Sequence, residues 1–352
     1  MKKTSAPHLS YLSCCLGLAG IMVSSYASAA GLTKLTKEIE DYKPVTQKRL
    51  NEANPKDWLL PKGNYEGWMF SELQQINKKN VKKLTPVWTY STNLDSGHEA
   101  PAQINNGVMF VSTPYNHVIA LNAKTGQVYW RYKHDNPYDL SVMHNTSRGI
   151  ALWDDKVYVA GLDGTLNALD AKTGALRWQF DPQVDRSKGA DLCCDAVNRG
   201  VAYSDGKIIT GTIDGRLVAV DAKTGTKLWD VITVDQSKPY TITGAPRIVN
   251  GKAIIGNGGA EYGVRGYVSA YDINNGEMLW RFYTVPGNPE NGFENAAMAK
   301  AAETWKGEWW KYGGGGTAWD SMAYDPELDL LYVGVGNGSP WNQSIRSPGG
   351  GD

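Results

Sequence analysis

Short runs of alternating apolar and polar residues recur along the chain. Examples are Val157-Tyr-Val-Ala160 and Lys207-Ile-Ile-Thr210, with Asp-Gly turns at Asp163-Gly164, Asp205-Gly206 and Asp214-Gly215. Alternation of period two closed by such turns predicts antiparallel hairpins. Following these strands, one phrase repeats: Ala120 to Gly126 ending at Trp130, Ala168 to Gly174 ending at Trp178, and Ala219 to Gly225 ending at Trp229. A looser copy runs from Ala270 to Gly276 and ends at Trp280, so the tryptophans stand 48, 51 and 51 residues apart. About fifty residues, four short strands and one large aromatic anchor per unit describe the blade of a β-propeller. The fold class expected is therefore all-β, a propeller of four-stranded antiparallel blades. Within the phrase, Asp or Asn and Thr-Gly build a polar turn, while Ala and Trp pack between blades and the indole N–H needs a carbonyl partner. Outside the repeat, residues 71–83 read as a helix capped by Ser71, and residues 287–316 form a long insertion carrying Trp305, Trp309 and Trp310.

The N-terminus has a different pattern. Lys2 and Lys3 precede an apolar stretch, Leu12 to Val23, and then Ala27-Ser28-Ala29. This is the layout of a signal peptide, and the apolar run is shorter than the roughly 20 residues a bilayer span needs. The expected organisation is a signal peptide at 1–29, an N-terminal arm at 30–85 and a propeller from 86 to 352, with a soluble, periplasmic product. Composition changes little in this picture. The 39 Gly and 13 Trp of the 352 residues fit turns and inter-blade anchors, and 36 basic residues balance 36 acidic ones. That balance, with no basic block, argues against nucleic acid as a partner.

Candidate chemistry lies where the repeat is broken, because repeats carry structure and their loops carry sites. Cys193-Cys194-Asp195-Ala196-Val197-Asn198-Arg199-Gly200 has adjacent cysteines, which are a strained eight-membered disulfide ring at a functional site, a pair of free buried thiols or a simple local staple. Gly256-Asn-Gly-Gly-Ala-Glu261 opens a strand into glycines and a lone carboxylate suited to a hard cation. Gly313-Gly-Gly-Gly-Thr317-Ala-Trp319 offers an indole face outside the repeat. Gly334-Val-Gly-Asn337 offers a side-chain carbonyl.

These four segments, together with the repeat phrase and Gly97-His98-Glu99, resemble the pyrroloquinoline quinone (PQQ)-dependent alcohol dehydrogenases, the methanol and ethanol dehydrogenase family, over roughly residues 50 to 352. The resemblance implies an eight-bladed propeller that oxidises a small alcohol to an aldehyde and passes electrons to a cytochrome c-type acceptor. It implies that a Cys193–Cys194 disulfide covers one face of the quinone and Trp319 the other, and that Arg199, Thr243 and Glu99 contact its polar groups. Gly259 and Ala260 match backbone running past it, Thr317 flanks the pocket, and Glu261 and Asn337 match ligands of Ca²⁺ or a lanthanide. In that scheme the cation acts as a Lewis acid and the quinone carries the redox chemistry.

The chain departs from the family pattern in two places. Between Glu99 and Cys193 lie two copies of the phrase, where relatives carry about one blade's worth of chain, and Met143-His-Asn-Thr-Ser-Arg148-Gly149 stands where the cysteine string would follow the first copy. The family's general-base aspartate is expected beyond Asp352, so no residue here is assigned as catalytic, and the chain made alone is expected not to turn over. The competing reading is a non-catalytic exported propeller that serves as a protein-binding scaffold.

Overall fold

A computed structural model describes residues 37–140, 142, 145–193 and 196–349. The expected signal peptide lies outside the described residues, as do Cys194 and Asp195. Four antiparallel four-stranded sheets follow one another in chain order, each a meander. The first blade comprises Gln103–Asn105, Val108–Thr113, His117–Asn122 and Val128–Lys133. The second comprises Ile150–Trp153, Lys156–Ala160, Leu166–Asp170 and Leu176–Phe180. The third comprises Ala202–Ser204, Lys207–Gly211, Arg216–Asp221 and Lys227–Ile232. The fourth comprises Arg247–Val249, Lys252–Gly256, Tyr267–Asp272 and Met278–Tyr283. Beyond it, Met322–Asp325 pairs with Leu330–Val333, and Gly314–Gly315 pairs with Gly338–Ser339.

The repeat phrase explains how blades dock. In each copy the alanine is the register partner of the tryptophan, as in Ala120 and Trp130 or Ala219 and Trp229, with a bulge immediately after the alanine. All four alanines are fully buried. The following Asn122, Asp170 or Asp221 accepts through its Oδ1 from the backbone N–H groups two and three residues on, closing the polar turn. The turn ends in a left-handed glycine whose hydrogen faces the indole of the preceding blade. At Gly174 a Cβ would stand 2.7 Å from Trp130, and at Gly225 2.7 Å from Trp178. The indole N–H then donates across the interface, Trp130 to Ala171 O at 3.0 Å, Trp178 to Ala222 O at 3.3 Å and Trp229 to Ile273 O at 3.0 Å. Trp88 does the same to Ala123 O at 3.2 Å and packs on Gly126. It is a further docking tryptophan, 42 residues before Trp130, and no copy of the phrase precedes it.

The arm crosses several blades. Val45 bridges Asp154 in the second blade, Trp58 bridges Ile104 in the first, and the Tyr65 hydroxyl donates to Tyr203 O in the third at 2.9 Å. Trp68 Nε1 donates to Tyr324 O at 3.0 Å. The helix expected at 71–83 is absent, and only a 3₁₀ turn at Val81–Lys83 forms. The asparagines account for the difference. Asn80 Oδ1 accepts from Asn77 N, Asn80 Nδ2 donates to Gln75 O, and Asn77 Oδ1 accepts from Lys79 N, so local side-chain bonds replace the helical ladder. Among the described residues no helix is long and apolar enough to cross a membrane.

Candidate functional site

Extended segments entering the third and fourth blades line up side by side. Arg199 N donates to Thr243 O at 3.1 Å, and Gly258 N to Thr241 O at 2.7 Å. Both segments, the loop before the third blade, the turn after Gly256 and the Thr317–Trp319 stretch enclose a cavity of about 180 Å³. Its wall includes eight residues singled out from the sequence: Cys193, Arg199, Thr243, Gly259, Glu261, Thr317, Trp319 and Asn337. These residues span 145 positions of the chain, Cys193 to Asn337, and the fold gathers them into one place.

Glycines set the geometry of the wall. A Cβ at Gly256 would collide with Ala318 O, one at Gly244 would stand 2.8 Å from Trp319 O, and one at Gly336 3.1 Å from Trp319 Nε1. The Thr317–Trp319 segment therefore lies against neighbouring backbone. Gly259 is left-handed, φ +99°, and caps the short 3₁₀ turn Ala260–Tyr262 that places Glu261 on the cavity wall.

Arg199 supplies the electrostatics. Its Nη1 donates to Thr243 Oγ1, and its guanidinium lies 4.5 Å from the centroid of the Trp319 ring. Its Nε is buried and makes no hydrogen bond. Burial first, and then the nearby Arg148 guanidinium, push the Arg199 pKa down to about 10, so the group is cationic at neutral pH. A buried cation with an unused donor is costly until an acceptor reaches it, and a carboxylate supplies both the charge and the lone pair. Trp319 is 40% exposed, which leaves indole surface for a planar partner.

The donor set suits a cation only in part. Among the described residues Glu261 is the one carboxylate on the wall, and Asn337 adds an amide whose Nδ2 donates to Gly338 O at 3.1 Å, leaving Oδ1 as the ligating atom. Among the described residues no group of three or more His, Cys, Asp or Glu side chains could hold a metal. A hard cation here would take its remaining oxygens from a bound ligand or water.

Two expected residues fall elsewhere. Glu99 does not line the cavity. Its Oε2 lies 2.5 Å from Arg148 Nε, an ion pair by distance although not aligned as a hydrogen bond. The additional copy of the phrase explains the displacement, because it inserts the second blade between the Glu99 segment and the cysteine string. Ala260 has its side chain buried away from the cavity. Conversely, Leu192, Val197 and Thr241 line it without having been given a role from the sequence. Val197 and Thr241 each precede a chosen residue by two positions, and period two in an extended segment puts such pairs on one face.

The family of PQQ β-propeller domains of glucose, ethanol and alcohol dehydrogenases matches residues 58–160 and 152–344. A quinohemoprotein alcohol dehydrogenase of Pseudomonas putida, ADH IIB, is 46% identical over 305 residues, which is 86% of this chain and 37% of that protein. The crystal structure of the quinohemoprotein alcohol dehydrogenase from Comamonas testosteroni is similar with a TM-score of 0.61 and 42% identity, covering 86% of this chain and 39% of that one. A europium-containing methanol dehydrogenase structure is similar with a TM-score of 0.54 and 34% identity, covering 86% and 46%. The chain spans about two fifths of the length of the alcohol dehydrogenases it matches. With the four blades in place and the family match running through nearly all of them, this chain belongs to the PQQ-dependent alcohol dehydrogenase family.

Proposed function

We propose that the cavity holds PQQ and a metal ion, Ca²⁺ or a lanthanide, and that the protein acts in oxidation of an alcohol to an aldehyde. The observation that carries this reading is Arg199, buried with an unpartnered Nε beside an exposed indole face. PQQ is planar and carries three carboxyl groups, so it offers a face for Trp319 and an acceptor for Arg199.

In this reading Thr243 fixes the guanidinium through its hydroxyl before the ligand arrives. Trp319 forms one wall and Cys193, paired with Cys194 in a vicinal disulfide, the other. The tight Gly258-Gly259 backbone lets the ligand approach closely, with Ala260 behind it. Glu261 and Asn337 hold the cation. Among the described residues Glu261 is the one wall carboxylate, and we assign it to the cation. When bound, the quinone supplies a two-electron acceptor and the cation a Lewis acid. We further propose that the protein is exported to the periplasm through residues 1–29 and that a cytochrome c-type acceptor takes the electrons. The naming of the relatives as quinohemoproteins supports the latter.

Titrating the protein with PQQ, followed by tryptophan quenching, with and without Ca²⁺ or a lanthanide, tests the metal assignment. The wild type should bind the quinone more tightly with the cation, and Glu261→Ala should bind equally in its presence and absence. A cation effect that survives Glu261→Ala removes Glu261 from the metal site.

A further inference from the structure

The additional blade places a second arginine beside the first. Ser147 forms a parallel bridge with Asn198, and Arg148 N donates to Asn198 O at 3.0 Å. In parallel register, residues one step either side of a bridged pair lie on a common face. Arg148 is thereby set beside Arg199, and Thr146 beside Val197, both of which line the cavity. The nearness of the guanidiniums is felt electrostatically, since Arg148 depresses the Arg199 pKa. Two groups on this added stretch are buried without an aligned hydrogen bond, and Arg148 Nε has Glu99 Oε2 at 2.5 Å. Thr146 Oγ1 is unpartnered on a residue with no exposed surface, and Arg148 Nε is buried without a hydrogen bond. Glu99 closes the cluster: a Cβ on Gly97 would stand 3.3 Å from Glu99 Oε1 and 3.8 Å from Thr146 Oγ1.

Glu99 lies against Arg148 in a contact not aligned as a hydrogen bond, and Asp320 and then Glu99 offset part of the Arg199 charge. Two guanidiniums held side by side repel one another unless acidic groups lie between or before them. We propose that Thr146 and Arg148 extend the anion-binding wall by one blade, so that Arg148 holds a second carboxylate of the bound quinone next to the one held by Arg199. This assignment rests on the cofactor reading above. It makes Arg148 a binding residue contributed by the added blade, in a stretch of sequence that stands where the cysteine string would otherwise have followed the first copy of the phrase.

The test is an equilibrium titration of the full chain with PQQ in the presence of Ca²⁺, comparing wild type, Arg148→Gln and Arg148→Lys, with unfolding midpoints of the unliganded proteins measured alongside. Arg148→Gln should weaken binding about tenfold or more, as expected for loss of a charge-assisted contact, at an unchanged midpoint, and Arg148→Lys should recover part of the loss. Binding by Arg148→Gln equal to wild type overturns the inference alone. Equal weakening in both variants with lowered midpoints also overturns it, assigning Arg148 a structural role. Failure of the wild type to bind PQQ removes the cofactor reading and this inference together.

Discussion

Arg199→Gln is expected to lower affinity for the quinone by roughly 10- to 150-fold, the range for a hydrogen bond to a charged group. Three features of the site would be lost at once: the charge opposite the ligand's carboxylate, the unused Nε donor and the cation beside Trp319. The same substitution is expected to leave the unliganded protein as stable as wild type or more so. The folded state now carries a buried cation with an unused donor, and replacing such a charge by a neutral polar group lowers the cost of its burial. Weaker binding without loss of stability distinguishes a ligand-directed arginine from a structural one. Isothermal titration and urea unfolding of the same preparations read both quantities. A variant that binds as wild type does would remove Arg199 from the site.

Trp130→Ala is expected to cost about 3–5 kcal/mol of unfolding free energy, the range for large aromatic truncations in a core. Trp130 is 8% exposed, donates to Ala171 O and lies against Gly174 of the next blade, so its loss opens a cavity and leaves a buried carbonyl without its donor. Trp280 provides the internal control. It occupies the same place in the phrase but is 39% exposed, so Trp280→Ala should cost less, about 2–3 kcal/mol by the same burial argument. Equal losses for the two, measured by urea unfolding, would contradict the docking role assigned to the phrase.

The repeat was legible because every element of it has a local physical cause. Asp170 or Asp221 bonds the turn, Gly174 or Gly225 takes a left-handed conformation that a side chain would strain, and Ala168 or Ala219 leaves room opposite the indole. Each such constraint restricts residue type, and restrictions repeated at a fixed spacing are visible without a structure. Trp88 has the same role but no copy of the phrase before it, so nothing local marks it. The stretch at 71–83 misled in the opposite direction. Its composition suits a helix, yet Asn77 and Asn80 bond nearby backbone and hold turns instead.

The site was legible at residues that the break in the repeat exposes, such as Arg199, Gly259, Glu261 and Trp319, all on the cavity wall. Glu99 was assigned through the resemblance of Gly97-His98-Glu99, the additional blade separates it from the cysteine string, and it pairs with Arg148. Arg148 itself was seen only as the displaced counterpart of the cysteine string. Its place beside Arg199 depends on the parallel bridge between Ser147 and Asn198, a long-range register that sequence spacing does not encode.

The central claim is that this cavity is a quinone and metal site, and binding of PQQ to the wild-type chain tests it most directly. Equilibrium dialysis with Ca²⁺ or a lanthanide present should show saturation at a single equivalent of PQQ per chain, weakened when the cation is chelated and weakened again in Arg199→Gln. Absence of saturable binding, or binding indifferent to both the cation and Arg199, would contradict the account.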